Sequence, residues 1–195
     1  MISAVVLAAG KGDRMGQPKL FLPWRGKAML QWVLESVLTS AVSEVICVVR
    51  DLTAVRAHIS VSDERLSWLV NNPPDEGQSS SLIAGLWAID ARSEGALFVA
   101  GDQPLLDSAL INALIDRSIE VPAPIVAPSF QGEIRNPALF CRALFPELLK
   151  LQGDQDERSL LKKYRDRTAI VEWRDAASFM DIEDREDDER LKLLA

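Results

Sequence analysis

The sequence predicts an α/β protein with a mainly parallel sheet, helices on both faces of that sheet and an antiparallel edge. Short β-rich runs alternate with helical patterns along the chain, which is typical of βαβ units. The first run, Ala4–Ala9, is continuously apolar, as expected for a parallel strand buried on both faces. Residues 124–173 alternate less regularly, which predicts the antiparallel edge. The chain has 195 residues, so we expect residues 1–195 to form a single domain.

The predicted strands are rich in β-branched and aliphatic residues and are bounded by polar or turn residues. They span Ser3–Leu7, Glu44–Val49, Ser67–Asn71, Ala96–Ala100, Pro124–Pro128, Ala138–Cys141 and Thr168–Trp173. The predicted helices carry apolar residues at helical spacing. They span Met29–Ser40, Thr53–Ile59, Ser80–Arg92, Asp107–Ser118, Arg142–Leu151, Arg158–Arg165 and Asp187–Leu194.

The charge balance argues against nucleic acids and acidic membranes as partners. The net charge is −7, with 48% hydrophobic and 26% charged residues. Residues 181–190 hold seven acidic and two basic side chains, so the remainder is nearly neutral and allows a local basic pocket. No apolar stretch approaches the roughly 18 residues of a membrane-spanning helix.

The cysteines and the histidine restrict the chemistry further. Cys47 and Cys141 lie in apolar surroundings with no CxxC partner, which indicates reduced thiols and a cytoplasmic location. Met1 leads into a strand without a basic segment, so no secretory signal is predicted. His58 is the single histidine, which argues against a histidine–cysteine zinc site and a Ser-His-Asp triad.

A glycine-rich loop after the first strand predicts a polyphosphate site. Its glycines and cations are Gly10, Gly12 and Gly16 with Lys11, Arg14 and Lys19. Glycines expose backbone N–H groups to an anion, and cations complement a triphosphate. The spacing matches neither the P-loop nor the dinucleotide fingerprint, because Gly16 comes too late and Gln17 follows it. The alternative is a glycine-rich turn with solvated cations.

Two other candidate groups follow predicted strands, where ligands bind in open α/β sheets. Asp102 comes directly after Gly101 at the end of an apolar strand, where a carboxylate can hold a hard cation beside phosphate oxygens. Its alternative role is a helix N-cap, for which Asp107 is better placed. Residues 79–81, Ser79, Ser80 and Ser81, precede a helix and can bind phosphate, read a base edge or cap the helix.

Five segments together resemble a known family. They are Leu7–Lys19 (LAAGKGDRMGQPK), Glu76–Gly85 (EGQSSSLIAG), Gly101–Pro104 (GDQP), Arg135–Phe140 (RNPALF) and Gly153–Leu161 (GDQDERSLL). The set resembles the nucleotidyltransferases with a three-layer Rossmann-like fold of the glycosyltransferase-A type. Within them it is most similar to the MobA-like family, and there to the molybdenum cofactor cytidylyltransferases (MocA). The resemblance spans nearly the whole chain.

The resemblance implies roles for the matching residues. Gly10 and Gly12 would hold the β- and γ-phosphates, Arg14 would neutralise the pyrophosphate, and Lys19 would reach the α-phosphate. Asp102 would hold Mg²⁺, with Mn²⁺ as an alternative, and completes a catalytic set with Arg14 and Lys19. The implied nucleotide site comprises Leu7, Ala8, Ala9, Gly10, Gly12, Arg14, Lys19, Ser79, Ser80, Ser81 and Gly101.

The first loop also bears on the choice of nucleotide. Relatives that use GTP typically begin this loop with Leu-Ala-Gly-Gly, whereas this chain has Ala9 before Gly10, as CTP users do. The Ala9 methyl would narrow the base pocket against a purine. Ser81 lies where related cytidylyltransferases place a serine near the cytosine or ribose.

The chain departs from the family pattern near its end and in its acceptor segment. The family usually has Asp-x-Asp-Thr-Pro-Glu-Asp near its end, whereas this chain has DIEDRED from Asp181. The resemblance therefore implies that Asp181 or Glu183 is the second metal ligand. The alternative is that the segment is only an acidic helix start. Asn136 precedes Pro137, at a position where relatives often have glycine. The acceptor candidates, each of which also has a turn or helix-cap interpretation, are Arg135, Asn136, Asp154 and Arg158.

The resemblance implies transfer of CMP from CTP to the terminal phosphate of molybdenum-bound molybdopterin, which yields molybdopterin cytosine dinucleotide and pyrophosphate. A recipient molybdenum hydroxylase is an implied protein partner. One alternative keeps the chemistry with a sugar or polyol phosphate as acceptor. The other is an accessory protein that binds the molybdenum cofactor without catalysis.

Overall fold

A computed structural model describes residues 1–10, 19–71 and 77–181. The strands are β1 (Ile2–Ala8), β2 (Pro23–Trp24), β3 (Lys27–Ala28), β4 (Glu44–Val49), β5 (Leu66–Val70), β6 (Gly95–Ala100), β7 (Ile125–Phe130), β8 (Glu133–Ile134), β9 (Ala138–Cys141) and β10 (Thr168–Glu172). The α-helices are α1 (Met29–Thr39), α2 (Leu52–His58), α3 (Gln78–Ala88), α4 (Ser108–Glu120), α5 (Phe145–Leu148) and α6 (Arg158–Lys163). Short 3₁₀ turns span Lys19–Phe21, Arg142–Leu144, Arg165–Arg167 and Ala176–Phe179.

The main sheet has the strand order β10-β7-β9-β6-β1-β4-β5, with β8 paired to β7. Strands β6, β1, β4 and β5 are mutually parallel, and β10 is parallel to β7. The antiparallel component is β9, inserted between β6 and β7, together with the short β8. The mainly parallel α/β fold is therefore confirmed, and its antiparallel pairing lies in the later part of the chain.

Two apolar clusters place this sheet between two helical layers. In β1, Val6 belongs to a cluster with Leu34 of α1 and Leu110 of α4, on one face. Its neighbour Val5 belongs to a second cluster with Leu82 of α3, and with α5 and α6, on the other face. Successive strand residues point to opposite faces, so β1 is buried on both and its sequence is continuously apolar.

The helix predicted over Arg142–Leu151 divides into a 3₁₀ turn and the short α5. Pro146 lies in the first turn of α5, where its missing N–H is tolerated and where a continuing helix would lose a hydrogen bond. The small β2–β3 hairpin was not predicted. It turns through Arg25 and Gly26, both at positive φ (47° and 79°), and strands of two residues leave no periodic pattern.

Other predictions from the sequence concern individual residues. His58 lies in α2, as predicted, and its ring stacks on Phe21. Cys47 and Cys141 are free thiols, and burial raises the pKa of Cys47 far above its usual range. The helix predicted over Asp187–Leu194 lies outside the described residues. A search of the described ranges finds no helix whose length and apolar character would let it cross a membrane.

Candidate active site

The carboxyl ends of β1 and β6 meet at the centre of the sheet. Leu7 pairs with Ala100 in register, and the Gly101 N–H donates to the Leu7 carbonyl oxygen at 3.0 Å. A Cβ at Gly101 would lie 3.0 Å from that oxygen and 3.1 Å from the Ala8 Cβ. The glycine thus allows the two strand ends to approach closely, and Asp102 emerges beside the start of the glycine-rich loop.

An ion pair joins the two strand ends across this edge. The Lys19 Nζ donates to Asp102 Oδ2 at 2.6 Å, and their side chains are only 20% and 21% exposed. Lys19 begins a 3₁₀ turn whose end is fixed by a bond from the Leu22 N–H to the Lys19 carbonyl. The fold therefore brings together two of the three predicted catalytic residues. The third, Arg14, lies outside the described residues.

The rest of the predicted phosphate loop is described only at its start. Ala8 and Ala9 are 6% and 7% exposed, whereas Gly10 is exposed. Ala8 packs with the α1 and α4 cluster and Ala9 with the α3 cluster, so the two methyl groups point to opposite faces of the sheet. Gly12 lies outside the described residues.

The three serines begin α3, and their hydroxyls already have distinct partners. Ser79 is 3% exposed and donates through Oγ to the Gly153 carbonyl at 2.8 Å. Ser80 donates to the Gly77 carbonyl at 2.9 Å. The Ser81 Oγ accepts from Asn71 Nδ2 at 2.9 Å. The half-buried Ser81 hydroxyl donates no hydrogen bond to the described residues, which suits it to face a ligand.

Asn71 is a site residue that the motifs did not single out. It is 8% exposed at the end of β5, and its Nδ2 reaches both Ser80 and Ser81 at 2.9 Å. Its N–H donates to the Val49 carbonyl, which continues the β4–β5 pairing by one residue. The sequence signal for Asn71 was a polar residue at the end of an apolar strand.

Gly77 and Gly153 connect the serines to the predicted acceptor segment. A Cβ at Gly77 would lie 2.2 Å from the Gly153 carbonyl oxygen and 2.9 Å from the Asp154 nitrogen. Gly77 has φ 84°, which favours glycine independently. The backbone at Asp154 therefore packs against the start of α3, so this acceptor candidate lies beside the nucleotide candidates.

The remaining acceptor candidates each bond to a carboxylate. Arg135 pairs with Glu133 at 2.5 Å, and Asn136 Nδ2 donates to Glu157 Oε1 at 3.1 Å. Arg158 Nε lies 2.5 Å from Asp156 Oδ2. Asp156, and more weakly Glu157 and Asp181, raise the pKa of Arg158 above its usual value.

The segment after β10 returns to the same edge of the sheet. Met180 packs against a cluster that contains Trp24 and Met29, with Leu22 and Leu105 beside them. Asp181 follows Met180 directly, is exposed, and lies close enough to Arg158 to raise the pKa of its guanidinium. The other metal candidate, Glu183, lies outside the described residues.

The donor chemistry here suits a hard divalent cation. Asp102 and Asp181 offer carboxylate oxygens, the donors that Mg²⁺ and Mn²⁺ accept. In the described ranges, no three His, Cys, Asp or Glu side chains gather into a ligand cluster. A small number of carboxylates is nevertheless the usual protein contribution when substrate phosphates complete the coordination.

The comparisons with known proteins point to one family. The model of the MobA-like NTP transferase domain matches residues 4–168. The purine catabolism protein PucB of Bacillus subtilis is 30% identical over 191 residues, covering 94% of this chain and 92% of PucB. A probable molybdenum cofactor guanylyltransferase of Methanosarcina acetivorans is 34% identical over 121 residues, covering 60% of this chain and 52% of that protein.

A solved structure agrees with the fold. Rv0371c from Mycobacterium tuberculosis superposes with a TM-score of 0.87 at 26% identity, covering 98% of this chain and 97% of that one. It has also been solved as a complex with manganese, with a TM-score of 0.83. The match over residues 4–168 shows that this chain belongs to the MobA-like family of nucleotidyltransferases.

Proposed function

We propose that this chain transfers CMP from CTP to the terminal phosphate of molybdenum-loaded molybdopterin. The observation that carries the proposal is the Lys19–Asp102 pair, 2.6 Å apart at the meeting point of β1 and β6 and close to Ala9. The link to the molybdenum cofactor rests on the resemblance and on relatives that are known or probable molybdenum cofactor guanylyltransferases.

The reaction is an in-line displacement at phosphorus. An oxygen of the acceptor phosphate forms a bond to the α-phosphorus of CTP, while the bond from that phosphorus to the oxygen bridging to the β-phosphate breaks. Pyrophosphate leaves with the electron pair. A phosphate monoester is already a competent nucleophile, so the mechanism requires no general base, consistent with a chain whose one histidine, His58, lies in α2.

The side chains of this chain supply positioning and charge neutralisation. Lys19 leaves Asp102 and contacts the α-phosphate, where negative charge develops. Arg14 and the N–H groups of Gly10 and Gly12 hold the β- and γ-phosphates. Asp102, with Asp181 or Glu183, holds the divalent cation, Mg²⁺ or Mn²⁺. When bound, that cation neutralises phosphate charge and orients the triphosphate.

The base and the acceptor are bound by neighbouring segments, because Gly153 and Asp154 pack against the start of α3. Ala9 and Ser81 contact cytosine or ribose, and the Ala9 methyl disfavours a purine. The acceptor lies along Arg135, Asn136, Asp154 and Arg158. The product then passes to a recipient molybdenum hydroxylase in the cytoplasm, where the reduced thiols predicted from the sequence would persist.

Pyrophosphate release tests the proposal. The purified protein is incubated with CTP, GTP or ATP and Mg²⁺, each with and without molybdenum-loaded molybdopterin. We expect release with CTP plus the acceptor, and none when either is omitted. A second panel replaces the acceptor with sugar phosphates and polyol phosphates.

Each other outcome identifies a different function. Release with GTP but not CTP would overturn the nucleotide assignment. Release with a sugar or polyol phosphate alone would overturn the acceptor. Tight binding of the molybdenum cofactor, without pyrophosphate release from any nucleotide, would instead indicate the accessory protein.

A further inference from the structure

Glu157 is a buried carboxyl group for which the reaction above has no role. It is 5% exposed at the start of α6. One acceptor candidate, Arg158, follows it in the sequence, and another, Asn136, contacts its side chain. Its carboxylate accepts a hydrogen bond from Asn136, whose Nδ2 donates to Glu157 Oε1 at 3.1 Å. Asn136 is half-buried and follows β8, at the carboxyl end of β7.

This contact determines which end of the Asn136 amide faces outward. While Glu157 is ionised, its carboxylate only accepts hydrogen bonds, so it faces the NH₂ group of the amide and not its oxygen, as the observed contact does. Asn136 Oδ1 is then turned away from Glu157. Among the described residues, no hydrogen bond to Oδ1 is formed that would occupy it. The amide therefore offers an acceptor oxygen beside the acceptor candidates.

We propose that Glu157 is a positioning residue that fixes the Asn136 amide so that its oxygen accepts a hydrogen bond from a ring N–H or amino group of the acceptor substrate. This inference rests on the proposed function and deepens it, because a pterin carries such donors whereas a phosphate group does not. Asn136 thus hydrogen-bonds to the heterocycle, and the cationic side chains elsewhere in the site bind the phosphates.

The charge state of Glu157 controls this orientation. Burial is the main cause of its raised pKa, the neighbouring Asp156 carboxylate raises it further, and Arg158 and the Asn136 bond lower it. A protonated Glu157 can donate to Asn136 Oδ1, so the amide would then rotate and present its NH₂ group instead. Recognition of a donor-bearing acceptor therefore weakens as Glu157 takes up a proton.

Glu157→Gln, Asn136→Ala and the double variant test the inference by kinetics. Gln keeps the shape but both donates and accepts, so it no longer selects one amide orientation. We expect KM for molybdenum-loaded molybdopterin to rise about 3- to 10-fold in each single variant, in line with one hydrogen bond. The kcat value and KM for CTP should change less than about twofold. The double variant should be no worse than Asn136→Ala, because Glu157 acts through that residue.

The side-chain amide signals of Asn136 give a readout that does not depend on turnover. In the wild-type protein, the ¹⁵N-edited amide resonances of Asn136 should shift as Glu157 titrates, and Glu157→Gln should abolish that shift. Glu147→Gln is the matched control, because it makes the same change at a carboxylate that accepts hydrogen bonds away from this segment, from Lys163 and Tyr164.

The outcomes separate the inference from the function. Asn136 resonances that are unaffected by Glu157→Gln would overturn the inference, as would additive losses in the double variant. Altered resonances with an unchanged acceptor KM would overturn the recognition role. A wild-type protein inactive with this acceptor would overturn the proposed function, while the resonances would still test the Glu157–Asn136 contact.

Discussion

The ammonium of Lys19 lies 2.6 Å from the carboxylate of Asp102, although 83 residues separate them in the chain. In the proposed reaction the two groups serve different partners, a phosphate and a divalent cation. Without ligands each neutralises the other at a largely buried position. Binding of the metal–nucleotide complex must therefore break this ion pair and form two new contacts.

This exchange predicts that Lys19 competes with metal for Asp102. Lys19→Met should bind Mn²⁺ more tightly than wild type when no nucleotide is present, by up to about 5-fold if the pair is worth about 1 kcal/mol. Turnover should nevertheless fall about 10²- to 10³-fold, because charge on the α-phosphate loses its partner. Mn²⁺ affinity is measured from the relaxation of water protons, and turnover from pyrophosphate release.

Lys27→Met is the control for this experiment. Lys27 also pairs with a carboxylate, Glu35 at 2.7 Å, but on the β2–β3 hairpin and α1. That variant should leave both Mn²⁺ affinity and turnover near wild type. Asp102→Asn should remove the competition altogether, so Mn²⁺ affinity that is insensitive to both Lys19→Met and Asp102→Asn would show that the metal lies elsewhere.

Ala9 should control the choice of nucleotide. Ala9 is 7% exposed and packs on the α3 side of the sheet, in one cluster with Leu82 and Leu86. Ala9→Gly removes the methyl group and should raise kcat/KM for GTP relative to CTP by about 10-fold, the effect of roughly one methylene on a binding pocket. The two rates are compared by competition between CTP and GTP in one reaction.

Ala8→Gly makes the same chemical change on the opposite face. Ala8 is 6% exposed and packs with the α1 and α4 cluster. Both variants should lose some stability, but only the change at Ala9 should alter the GTP-to-CTP ratio. Equal ratios in the two variants would refute the base-pocket role of the Ala9 methyl.

Much of this arrangement could be predicted because strand and loop signals are local. Asp102 follows a continuous apolar strand and Lys19 a glycine-rich loop, and parallel strands bring such ends to one edge. The contacts between Asn136 and Glu157, or Gly77 and Gly153, join segments that are distant in sequence and have no periodic pattern. The insertion of β9 between β6 and β7 is likewise a long-range pairing that a run of four residues does not encode.

The backbone contact of Gly77 should be required for stability and for nucleotide binding. A Cβ there would meet the Gly153 carbonyl oxygen at 2.2 Å, and φ is 84°. Gly77→Ala should cost about 1–3 kcal/mol because its positive φ is combined with an extended ψ of −177°, and about 1–3 kcal/mol more for the clash. KM for CTP should also rise, because α3 and its serines begin at this residue.

Gly132→Ala isolates the backbone cost. Gly132 has φ 80°, but a Cβ there would meet no atom within 4 Å. Urea unfolding should therefore show the smaller loss for Gly132→Ala and the larger loss for Gly77→Ala, with KM for CTP raised only in the latter. Equal losses would mean that the Gly77 loop moves away from Gly153 at little cost.

Glu157 should make stability fall as pH rises. Burial raises its pKa above the ordinary value of 4.5, so between that value and the folded-state pKa the native protein binds more protons than the unfolded chain. Protons taken up by the native state stabilise it, so this contribution is fully present below pH 4.5 and is lost as pH rises through the folded-state pKa.

Glu157→Gln removes the titration but keeps a hydrogen-bonding amide beside Asn136. The free energy of unfolding of the variant minus that of wild type should therefore increase with pH across this window. The same difference for Glu147→Gln should instead decrease as pH rises towards 4.5 and be constant above it, because Lys163 and Tyr164 lower the pKa of Glu147. Urea unfolding at a series of pH values measures both differences, and a difference for Glu157→Gln that is constant with pH would show that its carboxyl group titrates as an exposed one does.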